Sequence, residues 1–239
     1  MEKSELILLP GLKRQIRFLI QKSAGQKYSN VLIIGSSSEV TALKFINKFN
    51  SNVEIIVGEY ESLINSKYIL GNSENVNIKM MSYDSTDYPD NHFDLVYAQA
   101  SISLTNRNKI VKEIKRILKP SGYLCVGEIV SFEKEIPRFV QDIYNNSDLL
   151  PLFINDLEKY YKERKFIVLA KEDLSTTLKE YYSMSIASYN DIANKFDSHE
   201  QSYYKKIINK IKHESNVYLK LGGDKYIGFI ALLLKKDGN

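Results

Sequence analysis

The stretch Val31–Thr41, VLIIGSSSEVT, decides the fold. Its first four residues are apolar without a break, as in a strand covered on both faces of a parallel sheet. A glycine then turns the chain, three serines follow, and Glu39 opens a pattern of helical period. In open α/β sheets a loop of this kind, at the carboxyl end of a strand, is where nucleotides are cradled. Such loops usually carry two or three glycines and often an acid on the strand. Here Gly35 is alone, and the strand position is Ile33.

Outward from this stretch, strand-like and helix-like segments alternate, which predicts a doubly wound α/β sheet covered on both faces. Residues 5–24 read as helical, interrupted early by Pro10-Gly11. Strands are expected at 30–35, 52–59, 75–84, 93–99 and 123–130. The helix that begins at Glu39 is expected to bury Val40, Leu43, Ile46 and Phe49. A second begins near Ser62. A third, 108–119, carries Ile110, Ile114, Ile117 and Leu118 on one face and is stopped by Pro120-Ser121-Gly122. Beyond 130 the rhythm changes. Residues 133–163 read as one or two helices, 165–173 as a sixth strand, 175–221 as a Tyr-rich helical cap, and 226–236 as a closing strand after the turn at Gly222-Gly223-Asp224. The expectation is a single domain over 1–239: an entry segment (1–27), a cofactor-binding half (28–130) and a substrate half (131–239) with the cap at about 175–221.

The bulk composition narrows the function classes. The chain has 239 residues, 44% hydrophobic and 26% charged, as in ordinary soluble proteins. The single cysteine, Cys125, excludes an internal disulfide framework and a Cys-rich zinc site, and points to a reducing, cytoplasmic setting. No apolar run is as long as a membrane span, and MEKSELILLPG lacks a signal-peptide layout. The net charge of +4 leaves nucleic acid open as a partner without favouring it. In YYKKIINKIKH, packing of Tyr204, Ile207, Ile208 and Ile211 accounts for the apolar stripe, with the lysines on the wet side. No cluster has metal-ligand spacing, so no metal is expected, and no Ser-His-Asp set stands out.

Ligands of such sheets sit outside the carboxyl ends of the strands. The residues there are Gly35, Ser36 and Ser37, then Glu59 with Tyr60, Asp84 with Ser85, and Ala98 with Gln99. An acid after the second strand suits ribose hydroxyls, and an acid after the third suits an adenine amino group. Together they describe a site for an adenosine-containing ligand.

At this point the chain resembles the class I S-adenosylmethionine-dependent methyltransferases. It is most similar to the small-molecule branch that includes ubiquinone and menaquinone methyltransferases. The likeness rests on YDSTDYPDNHFDLVYAQASI (83–102) and VKEIKRILKPSGYLCVGEIV (111–130), in particular Asp84, Pro89, Asp90-Asn91, Phe93-Asp94-Leu95-Val96 and Arg116 to Gly122. It covers about residues 28–130, and more loosely the later strands and LLPG. The resemblance implies a seven-stranded Rossmann-like sheet, mostly parallel with an antiparallel last strand. It also implies S-adenosylmethionine as cofactor, S-adenosylhomocysteine as product and a small-molecule substrate. Gly35 matches the first glycine of the cofactor loop, while Ser37 and Glu39 stand where the second and third usually are. A side chain at Ser37 costs about 1 kcal/mol if the backbone there is left-handed. Ile33 replaces an acid that helps bind the methionine ammonium, with Glu39 as the substitute. Glu59 takes the ribose, with Glu61 two residues on as the alternative, Asp84 takes the adenine, and Gln99 stands at the mouth. Asp94 ties down the start of the fourth strand. His92 is expected to face solvent, and His199 and His213 to lie on the surface of the cap. Tyr181, Tyr182, Met184 and Tyr189 either line a substrate pocket or pack. No catalytic group is assigned, because methyl transfer can proceed by positioning and desolvation. Two alternatives stay open: an inactive methyltransferase fold serving as a binding or scaffold module, and a methyltransferase of RNA or protein.

Overall fold

The computed structural model describes residues 7–23, 25–71, 73–193 and 198–238, and side chains except those of 189–208. Eight strands form one sheet: β1 (Asn30–Ile34), β2 (Asn52–Val57), β3 (Val76–Met80), β4 (Phe93–Gln99), β5 (Leu118–Ser131), β6 (Leu152–Phe153), β7 (Phe166–Asp173) and β8 (Ile227–Lys236). Their order is β3-β2-β1-β4-β5-β8-β7, with β6 paired to the end of β5. β3, β2, β1, β4 and β5 run parallel, and β8 runs antiparallel between β5 and β7. The parallel sheet and antiparallel last strand are those the sequence implied. The eighth strand, β6, lies inside 133–163, a stretch expected to be purely helical.

The helices are α1 (Leu12–Lys22), α2 (Glu39–Phe49), α3 (Tyr60–Leu70), α4 (Arg107–Ile117), α5 (Arg138–Asn146), α6 (Leu157–Glu163), α7 (Thr177–Ala193) and α8 (Ser198–Lys220). Strand β1 shows why two layers of helix are needed. Val31 and Ile33 point into a core shared with α1, α2, α5, α7 and α8, and Leu32 and Ile34 into one shared with α4 and α6. All four are at most 1% exposed, so neither face of this strand meets water.

Two boundaries differ from the sequence reading. Helix α4 ends at Ile117, and Leu118 already pairs with Phe93 of β4. The segment Lys119–Gly122 then makes an irregularity in β5, with Ser121 at φ 59°, before Tyr123 pairs with Leu95. Proline and glycine here kink a strand that has already begun. The buried face of α2 is also rotated. Ala42 and Phe45 are fully buried with Thr41 and Glu39, while Val40, Ile46 and Phe49 are half-buried and Leu43 is exposed. A helix lying close on the sheet takes small Ala42 beneath it, and Leu43 is turned outward.

The start of β4 is fixed as the sequence suggested. Asp94 accepts the Asn30 N–H at 2.8 Å and pairs with Lys119 at 2.6 Å. Tyr182 is buried, its ring 4.7 Å from Tyr218 and 5.0 Å from Tyr181, so these cap tyrosines pack together. The side chains of Tyr189, His199, Tyr204, Ile207 and Ile208 lie outside the described residues. His213 is exposed. His92 is not simply solvent-facing: it is half-buried, stacked on Tyr88 at 6.1 Å with its edge on Phe93.

The rotated face of α2 gives a direct test. Phe45→Ala should cost about 3–5 kcal/mol by cavity formation, whereas Leu43→Ser should stay within about 0.5 kcal/mol of wild type, both read from urea denaturation.

Candidate functional site

The direction of winding reverses between β1 and β4, and the loops after β1, β2, β3 and β4 meet at the carboxyl ends there. Gly35 lies at the base. Its N–H bonds Ile56 O at 3.0 Å, its φ is 121°, and a Cβ would stand 2.7 Å from Ser101 Cβ. No other residue fits this position. Ser101, from the loop after β4, also donates its hydroxyl to Ile34 O at 2.5 Å, so the first and fourth loops are in direct contact.

The serines fill the turn. Ser37 is exposed and left-handed at φ 59°, where a glycine would be unstrained. Ser36 donates to Ser62 Oγ of α3 at 2.9 Å, and Ser38 to Gly35 O at 2.8 Å. Glu39 does not face the mouth. It is 6% exposed and accepts a short hydrogen bond from Ser66 Oγ, which joins α2 to α3. Ile33 is wholly buried.

Glu59 is the exposed N-cap residue of α3, at the end of β2, and Tyr60 beside it is 61% exposed. Tyr83, which the sequence reading passed over, lies against this turn. Its phenol oxygen accepts the Gly58 N–H at 3.1 Å. Burial pushes its pKa up to about 12, and the nearby Glu59 charge adds to the rise. Asp84 accepts from Ser82 Oγ at 2.6 Å and from Asn106 Nδ2 at 3.0 Å, one on each oxygen. These bonds hold its carboxyl below the usual carboxylate range. Ser85 beside it is exposed.

The expectations for Ala98 and Gln99 need correction. Ala98 is buried, and its carbonyl accepts from Gln15 Nε2 at 3.0 Å. Gln99 is 3% exposed and fully engaged. Its Nε2 donates to Pro10 O and Leu12 O at 2.8 and 3.0 Å, and its Oε1 accepts from Tyr97 at 2.8 Å. Its side chain anchors the entry segment over β4, and none of it is left for a ligand at the mouth.

A buried network behind the site had no single sequence signal. Glu128 of β5 is wholly buried, with Arg107 Nε 3.3 Å from Oε1, an ion pair whose N–H is not aligned as a hydrogen bond. Tyr161 donates to Glu128 Oε1 and Ser103 to Oε2, and Arg107 also donates to Leu150 O. The loop after β4, residues 100–106, is thus fixed from below by Glu128 and touches Gly35 and Asp84 above. The loop after β3 is fixed by Glu113, which accepts from Thr86 N at 2.8 Å and pairs with Arg116 at 2.6 Å. Arg116, aided by Thr86, holds the Glu113 carboxyl down at about 2 against its burial.

Three cavities bear on ligands. One of about 740 Å³ opens at the amino end of β1, by Ser29, Lys48 and Asn50, away from this site. One of about 350 Å³ lies beside Ser131, Tyr144 and Phe153, past the end of β5. A third, about 430 Å³, is by Ser175 and Tyr218. Among the described residues no group of three or more His, Cys, Asp or Glu could hold a metal ion, and no helix is long and apolar enough to cross a membrane.

Two measurements check this geometry. Ser37→Gly should relieve the left-handed strain and raise stability by about 0.5–1 kcal/mol in urea denaturation. For Glu113 the folded pKa is depressed, so its contribution is complete above 4.5 and is lost as pH falls toward about 2. Unfolding free energy across that window should fall less steeply in Glu113→Gln than in wild type.

Residues 34–126 match the family described as methyltransferase domain. The chain is 31% identical over 155 residues to a ubiquinone/menaquinone biosynthesis C-methyltransferase from Pseudoalteromonas translucida. That match covers 60% of this chain, which spans 61% of the relative's length. The fold is shared with a phosphoethanolamine N-methyltransferase from Haemonchus contortus bound to phosphomonomethylethanolamine and S-adenosylhomocysteine, at TM-score 0.74 and 14% identity, over 94% of this chain and 53% of that one. It is shared also with a geranyl diphosphate C-methyltransferase from Streptomyces coelicolor, at TM-score 0.69 and 12% identity, over 93% and 76%. Over residues 34–126 the chain is thus similar to methyltransferases, and its fold is the one seen in these solved methyltransferase structures.

Proposed function

We propose that the protein transfers the methyl group of S-adenosylmethionine to a small molecule and releases S-adenosylhomocysteine. The observation that carries the proposal is the succession of Gly35, Glu59 and Asp84 at the ends of β1, β2 and the loop after β3, around the point where the winding reverses. Glu59 would accept hydrogen bonds from the ribose hydroxyls and Asp84 from the adenine amino group. Glu59 is exposed and Asp84 half-buried, each a carboxylate on the accessible side of its loop. Tyr60 and Ser85 follow them as flanking contacts. Tyr83 holds the Gly58 N–H and so sets where Glu59 points.

When bound, the cofactor supplies a sulfonium methyl group for in-line displacement by a nucleophile. This chain's part is to hold the acceptor on the line of attack and to exclude water. The acceptor is a small molecule, in keeping with the ligand-bound neighbours, and the half beyond β5, with its cavity beside Tyr144 and Phe153, is the region to admit it. We read residues 1–239 as one catalytic unit divided between these two halves.

Titration calorimetry with S-adenosylhomocysteine tests the reading. At one hundred times its Kd the ligand should raise stability by about 2.7 kcal/mol. Glu59→Ala should weaken binding by roughly tenfold or more, the loss of hydrogen bonds to a charged acceptor. No heat and no thermal shift at millimolar ligand would remove the enzymatic assignment. Full affinity in the mutant would move the ribose acid elsewhere.

A further inference from the structure

We propose that this site recognises its cofactor through the adenosine half, and holds the amino-acid half without a carboxylate partner for the ammonium group. The inference rests on the function proposed above and concerns which part of the ligand the chain senses.

Charge at the strand ends is unevenly placed. The adenosine side has Glu59, exposed at the end of β2, and Asp84, ionised and fixed by Ser82 and Asn106. Among the described residues the side next to Gly35 has none available. From Asn30 to Ala42, through β1, its loop and the first turn of α2, there is a single acid, Glu39. It is 6% exposed, and Ser66 of α3 donates to its carboxylate. The strand position before the turn is Ile33, at 0% exposure in the core. Gln99 is spent on Pro10, Leu12 and Tyr97. What the loop offers is neutral: the exposed Ser37, and Ser36 already bonded to Ser62. A neutral hydroxyl discriminates weakly for a cation. A charge-assisted bond to a carboxylate would be worth roughly ten- to one-hundred-and-fiftyfold in affinity.

The test compares S-adenosylhomocysteine with its desamino analogue, which has hydrogen in place of the amino group and keeps the adenosine, thioether and carboxylate. Both are titrated calorimetrically into the full chain. The two Kd values should agree within about tenfold. An analogue weaker by more than this would overturn the inference, because an acid elsewhere would then hold the ammonium, while the cofactor assignment would stand. If neither ligand binds, the cofactor assignment fails and the inference with it. Glu39→Gln, which keeps an acceptor for Ser66, should leave the ratio of the two Kd values unchanged. A selective loss of S-adenosylhomocysteine binding in that variant would show that Glu39 reaches the ammonium, and would equally overturn the proposal.

Discussion

Strand β1 has parallel partners on both sides, and everything at the site follows from that pairing. Ile33 is opposite Ile55 on one side and Tyr97 on the other. The chain therefore winds outward from β1 through β2 and β3, returns past it to β4, and winds on in the other direction. Right-handed crossovers place α2 on one face and α4 on the opposite face. The loops after β1 and β4 leave the sheet where these helices part, and they touch at their base through Ser101. Gly35 is at the bottom because Ser101 of the fourth loop has come close enough to exclude a Cβ.

That fourth loop is placed by groups far from the opening. Burying the Glu128–Arg107 pair is costly, and such pairs are weak contributors to stability. The desolvation is offset by donors from Ser103 and Tyr161 and by the Leu150 carbonyl. Removing either charge would strand the other in the core. The network joins β5, the start of α4 and α6 in one arrangement, so Ser101 and Asn106 reach Gly35 and Asp84 from a fixed base.

How much of this was legible in the sequence depends on the range of the interaction. Strands β1 and β8 declared themselves by apolar runs, since a strand buried on both faces has little room for polar positions. The positions of Glu59 and Asp84 just past β2 and β3 were legible because the end of a strand is a local property. The face of α2 was not: hydrophobicity favours Leu43, but the closeness of helix to sheet selects Ala42 and Phe45, and closeness is a tertiary fact. Glu39 and Gln99 were misassigned for a related reason. Ser66 is 27 residues from Glu39 and Pro10 is 89 from Gln99, so the groups that claim them are invisible to a local reading. Strand β6, at two residues, is too short to carry a period at all.

The serine loop is the clearest case of a local rule broken and compensated. A glycine at position 37 would accept φ 59° without strain, whereas serine there costs about 1 kcal/mol. The neighbours over-determine the strained turn: Ser36 is tied to α3, Ser38 to the Gly35 carbonyl, and Gly35 itself to β2. Glycine would lower the strain and also widen the set of conformations the loop samples. A loop held by hydroxyl groups is stiffer, and a stiff loop loses less entropy when a ligand settles against it. These three ties give the loop a single shape, and a separate bond from Ser66 holds the Glu39 carboxylate away from it.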